Sequence, residues 1–206
     1  MWAVLVVSHT GQLMEQTALT GSRIGARFAS GYARTLLHVV SIPAVIAMAV
    51  IVFLLALWRG SRRRALWAAG TIAATNASAQ LLKHTLLWRP DFGLSQRWDA
   101  ANTLPSGHTA VAASTAVALV LVVGARWRSL TAWVGALLAA AMGYSTLVCQ
   151  WHRPGDVMAA LLLAVGWGAV AVACGAWAND EPAPGGRTGP DDGGGRGPVL
   201  GRGWGQ

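Results

Sequence analysis

Apolar and polar stretches alternate along this chain on the length scale of a membrane. Leu36 to Trp58, Leu66 to Trp88, Thr109 to Val123 with some extension, and Leu130 to Cys149 are four apolar runs. At about 1.5 Å per helical residue, each is long enough to cross a hydrocarbon core of about 30 Å. Val157 to Trp177 makes a fifth. Trp58, Trp67, Trp88, Trp127, Trp133, Trp151 and Trp177 fall near the ends of these runs, where an amphipathic indole is favoured at the headgroup level. The pattern predicts an all-α fold, a polytopic membrane helix bundle with five full spans.

The two ends depart from this pattern. Met1 to Val7 is an apolar stub followed at once by the polar stretch Ser8 to Glu15. It is too short to span alone, and it lacks the basic start and small-residue cleavage site of a secretory signal. It reads as the outer end of a first span whose beginning is missing or misassigned, with an interfacial segment as the alternative. Gly21 to Arg34 carries Arg23, Arg27 and Arg34 among small apolar residues, which suits a short amphipathic helix on the membrane surface. The expected organisation is a partial first span with an external interfacial segment over 1–34, a transmembrane domain over 35–178, and a Gly/Pro-rich cytoplasmic tail over 179–206. The tail has almost nothing to bury and is expected to be disordered.

Composition supports the membrane reading. Of 206 residues, 54% are hydrophobic and only 12% charged, against roughly a quarter charged in a soluble domain. The net charge of +8 raises nucleic acid as a partner. The cations, however, sit in short clusters between apolar runs, and no reader motif accompanies them, so no nucleic-acid partner is expected. Cys149 and Cys174 are too few for a disulfide framework and fall near opposite ends of the last two runs, so they read as buried free thiols. The short basic connections, Arg59 to Arg64 and Arg126 to Arg128, are expected to stay cytoplasmic. The connections from Arg89 to Ser106 and from Gln150 to Gly155 then lie outside. Arg89, Arg97 and Arg153 run against the rule there, as an external anion-binding site requires.

Two membrane crossings separate Arg89, Pro90 and His108 from His152, so these groups emerge on one face whatever the absolute orientation. In Pro105-Ser106-Gly107-His108 a turn opens the next helix, where unpaired N–H groups and the positive dipole end favour an anion. Gly107 lets the backbone approach closely, Ser106 offers a hydroxyl and His108 can carry a proton. A plain helix start capped by Ser106 is the other reading of that tetrapeptide. Asn76, Gln80 and Lys83 form a polar stripe on one helix face. Lys83 lies near the outer end of its span, as either a cation in a wet cavity or a lysine snorkelling to the interface. Arg89 adds a planar fork suited to bidentate phosphate contacts. His152 and Asp156, four residues apart, allow a carboxylate to hold one imidazole nitrogen and leave the other as nucleophile or base. The alternative makes Asp156 a favourable acid in a helix first turn and His152 an interfacial aromatic. His84, His108, His152 and Asp156 lack a recognised metal-ligand spacing, so no metal and no cofactor are expected.

Taken together, from Leu66 to Trp177, these pieces resemble the type 2 phosphatidic acid phosphatase family, membrane relatives of the vanadium haloperoxidases and bacterial acid phosphatases. That family shows a Lys followed by Arg-Pro, then Pro-Ser-Gly-His, then Ser-Arg followed by His and, four residues later, Asp. The resemblance implies the core fold shared with the haloperoxidases and a metal-independent phosphatase. His152 would be the nucleophile that becomes phosphohistidine, with Asp156 orienting it and His108 protonating the departing oxygen. Lys83, Arg89, Ser106 and the Gly107 N–H would hold the phosphoryl oxygens. A substrate with a lipid tail fits a site at the mouth of apolar spans: phosphatidic acid, phosphatidylglycerol phosphate or a polyprenyl diphosphate such as undecaprenyl diphosphate. The expected location is the cell membrane, with the site on the extracytoplasmic side.

The chain departs from the family pattern twice. Five residues separate Lys83 from Arg89 where six are usual. After Ser145 stands Thr146, where the family has a phosphate-binding arginine. Losing such a charge clamp costs several kcal/mol of transition-state stabilisation in a water-poor site. Arg153, adjoining the nucleophile, is the candidate replacement. The rival expectation is a non-catalytic lipid-phosphate binder or transporter that kept this fold.

Overall fold

The computed structural model describes residues 1–22, 26, 31–35, 42–58, 62–94 and 102–178. Among these residues the chain is all helical, with no strand. A π-helical turn, Ala3–Val7, leads into α1, His9–Gly21; these are followed by α2, Ile42–Trp58, and α3, Arg62–Leu81. A second π-turn, Leu82–Leu86, continues α3. After a loop come α4, Gly107–Val122, α5, Ala125–Val148, and α6, Pro154–Ala173. The helices α2 to α6 overlap the five apolar runs of the sequence, and two of them, α5 and α6, meet the length and hydropathy of a membrane span among the described residues. The tail expected over 179–206, the start of the first run at Leu36, Arg97, and most of the stretch Gly21 to Arg34 lie outside the described residues.

Helix boundaries follow local chemistry. Ser106 caps α4, its hydroxyl oxygen accepting from the Thr109 N–H. Pro154 stands at the first position of α6, where its missing N–H costs nothing, and Asp156 closes a capping arrangement on the Arg153 N–H at 2.9 Å. Only two residues, Val123 and Gly124, separate α4 from α5, so the two helices run back to back.

α4 sits at the centre, in contact with α2, α3, α5 and α6. It does so through small residues: Ala110 is buried against Ala79 and Ala160, Ala113 against Ala139 and Ala164, and Ala118 in a cluster with Ala56, Ala65 and Ala68. Small side chains let helix backbones approach closely, the usual means of association where lipid removes the hydrophobic drive between helices. A methyl added at Gly135 would lie 2.6 Å from Ala116 Cβ. The outward faces are large and apolar: Leu130, Trp133, Leu137 and Leu138 on α5, and Met158, Leu162 and Val165 on α6, are exposed. An apolar exterior around an alanine-rich interior suits a lipid-facing bundle.

Among the described residues two helices, Ala125–Val148 and Pro154–Ala173, are long and apolar enough to cross a membrane, and Gly107–Val122 is apolar but shorter. These properties are compatible with a membrane protein. At the end of the bundle away from His152, Arg63 donates to the Cys174 carbonyl at 3.2 Å and the Arg128 guanidinium stacks 3.9 Å from the Trp177 ring centre. The cysteines are free, as expected, but not buried: Cys149 is half-buried and Cys174 exposed. Each is the residue that ends its helix, α5 or α6, and helix ends are where side chains escape the packed interior.

Candidate active site

Three chain segments converge at the mouth of the bundle, and one backbone bond ties two of them. The Ser106 N–H donates to the Asp156 carbonyl oxygen at 3.0 Å. That contact joins the start of α4 to the start of α6 and brings His108 and the loop of His152 to one end of the bundle.

Asp156 is fully buried, and three donors converge on its Oδ2: Thr103 Oγ1 at 2.7 Å, the Arg153 N–H at 2.9 Å and His152 Nδ1 at 3.2 Å. A carboxylate only accepts, so Nδ1 carries a hydrogen, and in the neutral imidazole Nε2 then keeps its lone pair. The His152 backbone is set by the end of α5, where the Thr146 carbonyl accepts from the N–H groups of both Trp151 and His152. Asp156 is therefore both the first-turn acid of α6 and the partner of the imidazole. The two readings of the sequence describe one side chain.

His108, half-buried, packs its ring 5.7 Å from that of Trp151. His152 and Lys83 are near enough to act on its charge. Lys83 lies in the π-turn, half-buried, and the turn is closed by the Leu87 N–H on the Leu82 carbonyl at 2.9 Å. Around Gly107 there is open space, with nothing nearer to an added methyl than the Gln80 amide at 4.0 Å. The expected hydroxyl donor, Ser106, is wholly buried; its oxygen accepts from Thr109 Oγ1 at 3.0 Å as well as from the Thr109 N–H. Of the polar stripe on α3, Asn76 turns into the bundle to Ser114 at 3.2 Å, whereas Gln80 pairs with the exposed His84 at 3.1 Å. His84 is thereby held away from the other histidines. Among the described residues no three side chains of metal-binding type come together.

Arg153 lies near enough to Arg89 to act on its charge. Arg153 is buried, and its Nη1 donates to Thr103 Oγ1 at 3.0 Å, so the Thr103 hydroxyl bridges Arg153 and Asp156. Thr146 is fully buried and donates to the Gly143 carbonyl of its own helix at 2.7 Å. It offers the site no charge.

Sequence reasoning did not single out Glu15, Thr103 or Asn102. Glu15, on α1, is 3% exposed; Oε1 accepts the Gly155 N–H at 3.0 Å, and Oε2 lies 3.7 Å from Arg89 Nη1. Burial first, and then the charge of Asp156, raises its pKa to about 7, although Arg89, the Gly155 N–H and Arg153 pull the other way. Desolvation thus outweighs the ion pair, because the arginine is shared among several charges. Arg89 is itself pushed below the ordinary guanidinium value, by burial and then by Arg153, and it remains a cation. A signal for Glu15 was present: it is the only acidic residue among the first 90. Thr103 and Asn102 carry no such mark. Asn102 staples the loop by donating to the Lys83, Leu87 and Leu104 carbonyls, a role visible only in three dimensions.

The arrangement is an imidazole backed by a carboxylate, a second imidazole on a helix start, and Lys83, Arg89 and Arg153 near enough to act on these groups and their neighbours. Residues 64–180 match the PAP2 superfamily. The chain belongs to it. Membership supports phosphatase activity and a helical, membrane-associated protein. The matched stretch runs from the start of α3 past the end of α6, so it contains the two histidines, Lys83, Arg89 and Asp156, but neither α1 nor α2. No curated protein and no solved structure matches the chain.

Proposed function

We propose that this protein is an integral membrane phosphatase that hydrolyses a lipid phosphate or polyprenyl diphosphate through a phosphohistidine on His152, without a metal. The observation that carries the reading is the His152 Nδ1 contact to Asp156, which directs the Nε2 lone pair away from the carboxylate. Nε2 attacks phosphorus, and the bond from phosphorus to the lipid oxygen breaks. That oxygen takes a proton from His108. Water then attacks the phosphohistidine, giving its proton back to His108, and inorganic phosphate leaves.

Lys83, Arg89 and the Gly107 N–H hold the phosphoryl oxygens, and Arg153 supplies the charge that Thr146 lacks. Fixed donors in a partly buried site stabilise the developing negative charge, which is usually the largest part of such catalysis. The apolar exteriors of α5 and α6 favour a substrate delivered from a lipid layer. The basic connections at the far end, Arg62 to Arg64 and Arg126 to Arg128, favour that end as cytoplasmic and the site as extracytoplasmic in the cell membrane.

The test is phosphate release by detergent-purified protein from phosphatidic acid, phosphatidylglycerol phosphate and a polyprenyl diphosphate, with excess chelator present and His152→Ala as control. Turnover lost in the variant, with radiolabelled phosphate held on the wild type in base-stable, acid-labile form, is the expected result. The buried, uncharged Thr146 favours one other reading, a lipid-phosphate binder. Affinity for these lipids without release would establish it instead.

A further inference from the structure

Glu15 is a buried carboxyl at the wall of the site, and the mechanism above does not use it. Its carboxylate touches both halves of the anion-binding region: Gly155 at the start of α6 through Oε1, and Arg89 through Oε2. Oε2 has no hydrogen-bond partner, so the long contact with Arg89 is its principal compensation. The fit at Gly155 leaves no room for a side chain, since an added methyl would run into Glu15 Oε1. One turn earlier, Gln12 donates to the Pro90 carbonyl at 2.8 Å and the Val6 carbonyl at 2.7 Å. α1 is therefore docked on the Arg89-Pro90 segment at two successive turns.

We propose that Glu15 is a positioning residue of the phosphate site: it holds Arg89 against the start of α6 while the site is empty and, once protonated, yields the guanidinium to an incoming dianion. The inference rests on the reading of Arg89 as a phosphate ligand. The charged groups facing Glu15 are Arg89 from the segment after the second π-turn, and Arg153 and Asp156 from the start of α6. The N-terminal π-turn Ala3–Val7 offers none. A phosphoryl dianion bound to Arg89 adds negative charge beside a carboxylate that burial already makes reluctant to ionise. Anion binding and protonation of Glu15 therefore support each other, and affinity falls as pH rises through about 7.

Sulfate is the probe, because it stays a dianion across this range, whereas phosphate titrates within it. Its dissociation constant is measured by calorimetry on the full chain in detergent, for wild type and Glu15→Gln, at pH 6 and pH 8. Glutamine keeps an oxygen for the Gly155 N–H and cannot ionise. The expected ratio of wild-type to variant dissociation constants is near one at pH 6 and about tenfold at pH 8, the order expected for one unit charge removed from a partly screened site. A ratio that does not change with pH overturns the proposal, since a merely structural glutamate gives that result.

Infrared spectroscopy of the wild type supplies a second measurement, independent of whether the variant folds. A protonated carboxyl band that titrates near pH 7 and persists to higher pH under saturating sulfate supports the proposal. A band unmoved by sulfate sinks it. Lipid-phosphate hydrolysis is assayed on the same preparation. Linked sulfate binding without hydrolysis would refute the phosphatase reading alone, and hydrolysis with unlinked binding would refute the role of Glu15 alone.

Discussion

The Ser106 amide and the Asp156 carbonyl oxygen lie 3.0 Å apart, and this backbone bond holds the two histidine-bearing helix starts together. Because it uses main-chain atoms only, the side chain of Asp156 can be changed while the bond stays. Asp156→Asn is expected to keep sulfate affinity within a fewfold, yet lower kcat by about a hundredfold or more, since an amide does not stabilise the imidazole as a carboxylate does. Steady-state kinetics beside sulfate calorimetry check this. Equal losses in both would mean that Asp156 is structural only.

His108 is assigned to the leaving oxygen, so its importance should depend on how badly that oxygen needs a proton. His108→Ala is expected to lose about a hundredfold or more with an alkyl phosphate lipid, and far less with p-nitrophenyl phosphate, whose phenolate departs unaided. Comparing the two substrates on one preparation decides the matter. Identical losses would move His108 from proton donor to phosphate ligand.

Arg153, whose guanidinium reaches Thr103, is proposed to replace the family arginine that Thr146 displaces. Arg153→Ala is expected to reduce kcat/KM by about tenfold to a thousandfold, the range for removing one charge clamp. A phosphatase rate within twofold of wild type would leave Thr146 without a replacement.

The pH dependence of stability follows from Glu15. Its folded pKa, about 7, lies above the ordinary value of 4.5, so the folded chain holds this proton more tightly than the unfolded one. The stabilising contribution is complete below about 4.5 and is lost as pH rises through about 7. Thermal unfolding followed by tryptophan fluorescence should show wild type losing stability over that window relative to Glu15→Gln. Parallel curves would place the titration elsewhere.

Away from the site, Gly135→Ala tests the packing of α4 on α5. The added methyl meets Ala116, 2.6 Å from Cβ and 3.4 Å from Cα, and neither atom belongs to a flexible side chain that could move aside. A loss of about 1–3 kcal/mol is expected, read as a lower unfolding temperature in detergent.

Helices were the most legible part of the chain, because length and hydropathy alone set α2 to α6, and Pro154 and Ser106 mark helix starts by chemistry that operates within four residues. The histidine pair was legible for a different reason: parity of crossings is a counting argument that survives errors of several residues at each boundary. Glu15 escaped because its partner Arg89 is 74 residues away in sequence and no local pattern links them. Thr103 escaped because a hydroxyl that bridges Asp156 and Arg153 looks, in sequence, like any loop threonine. The reading of Ser106 as both cap and donor could not be resolved without knowing which way its oxygen faces.

The alanine seams around α4 set what this bundle tolerates. Where Ala110 and Ala113 lie against Ala79, Ala139, Ala160 and Ala164, a larger side chain has to push two backbones apart, so a substitution deep in a seam acts on helix spacing and reaches the far ends of the helices as a change of alignment.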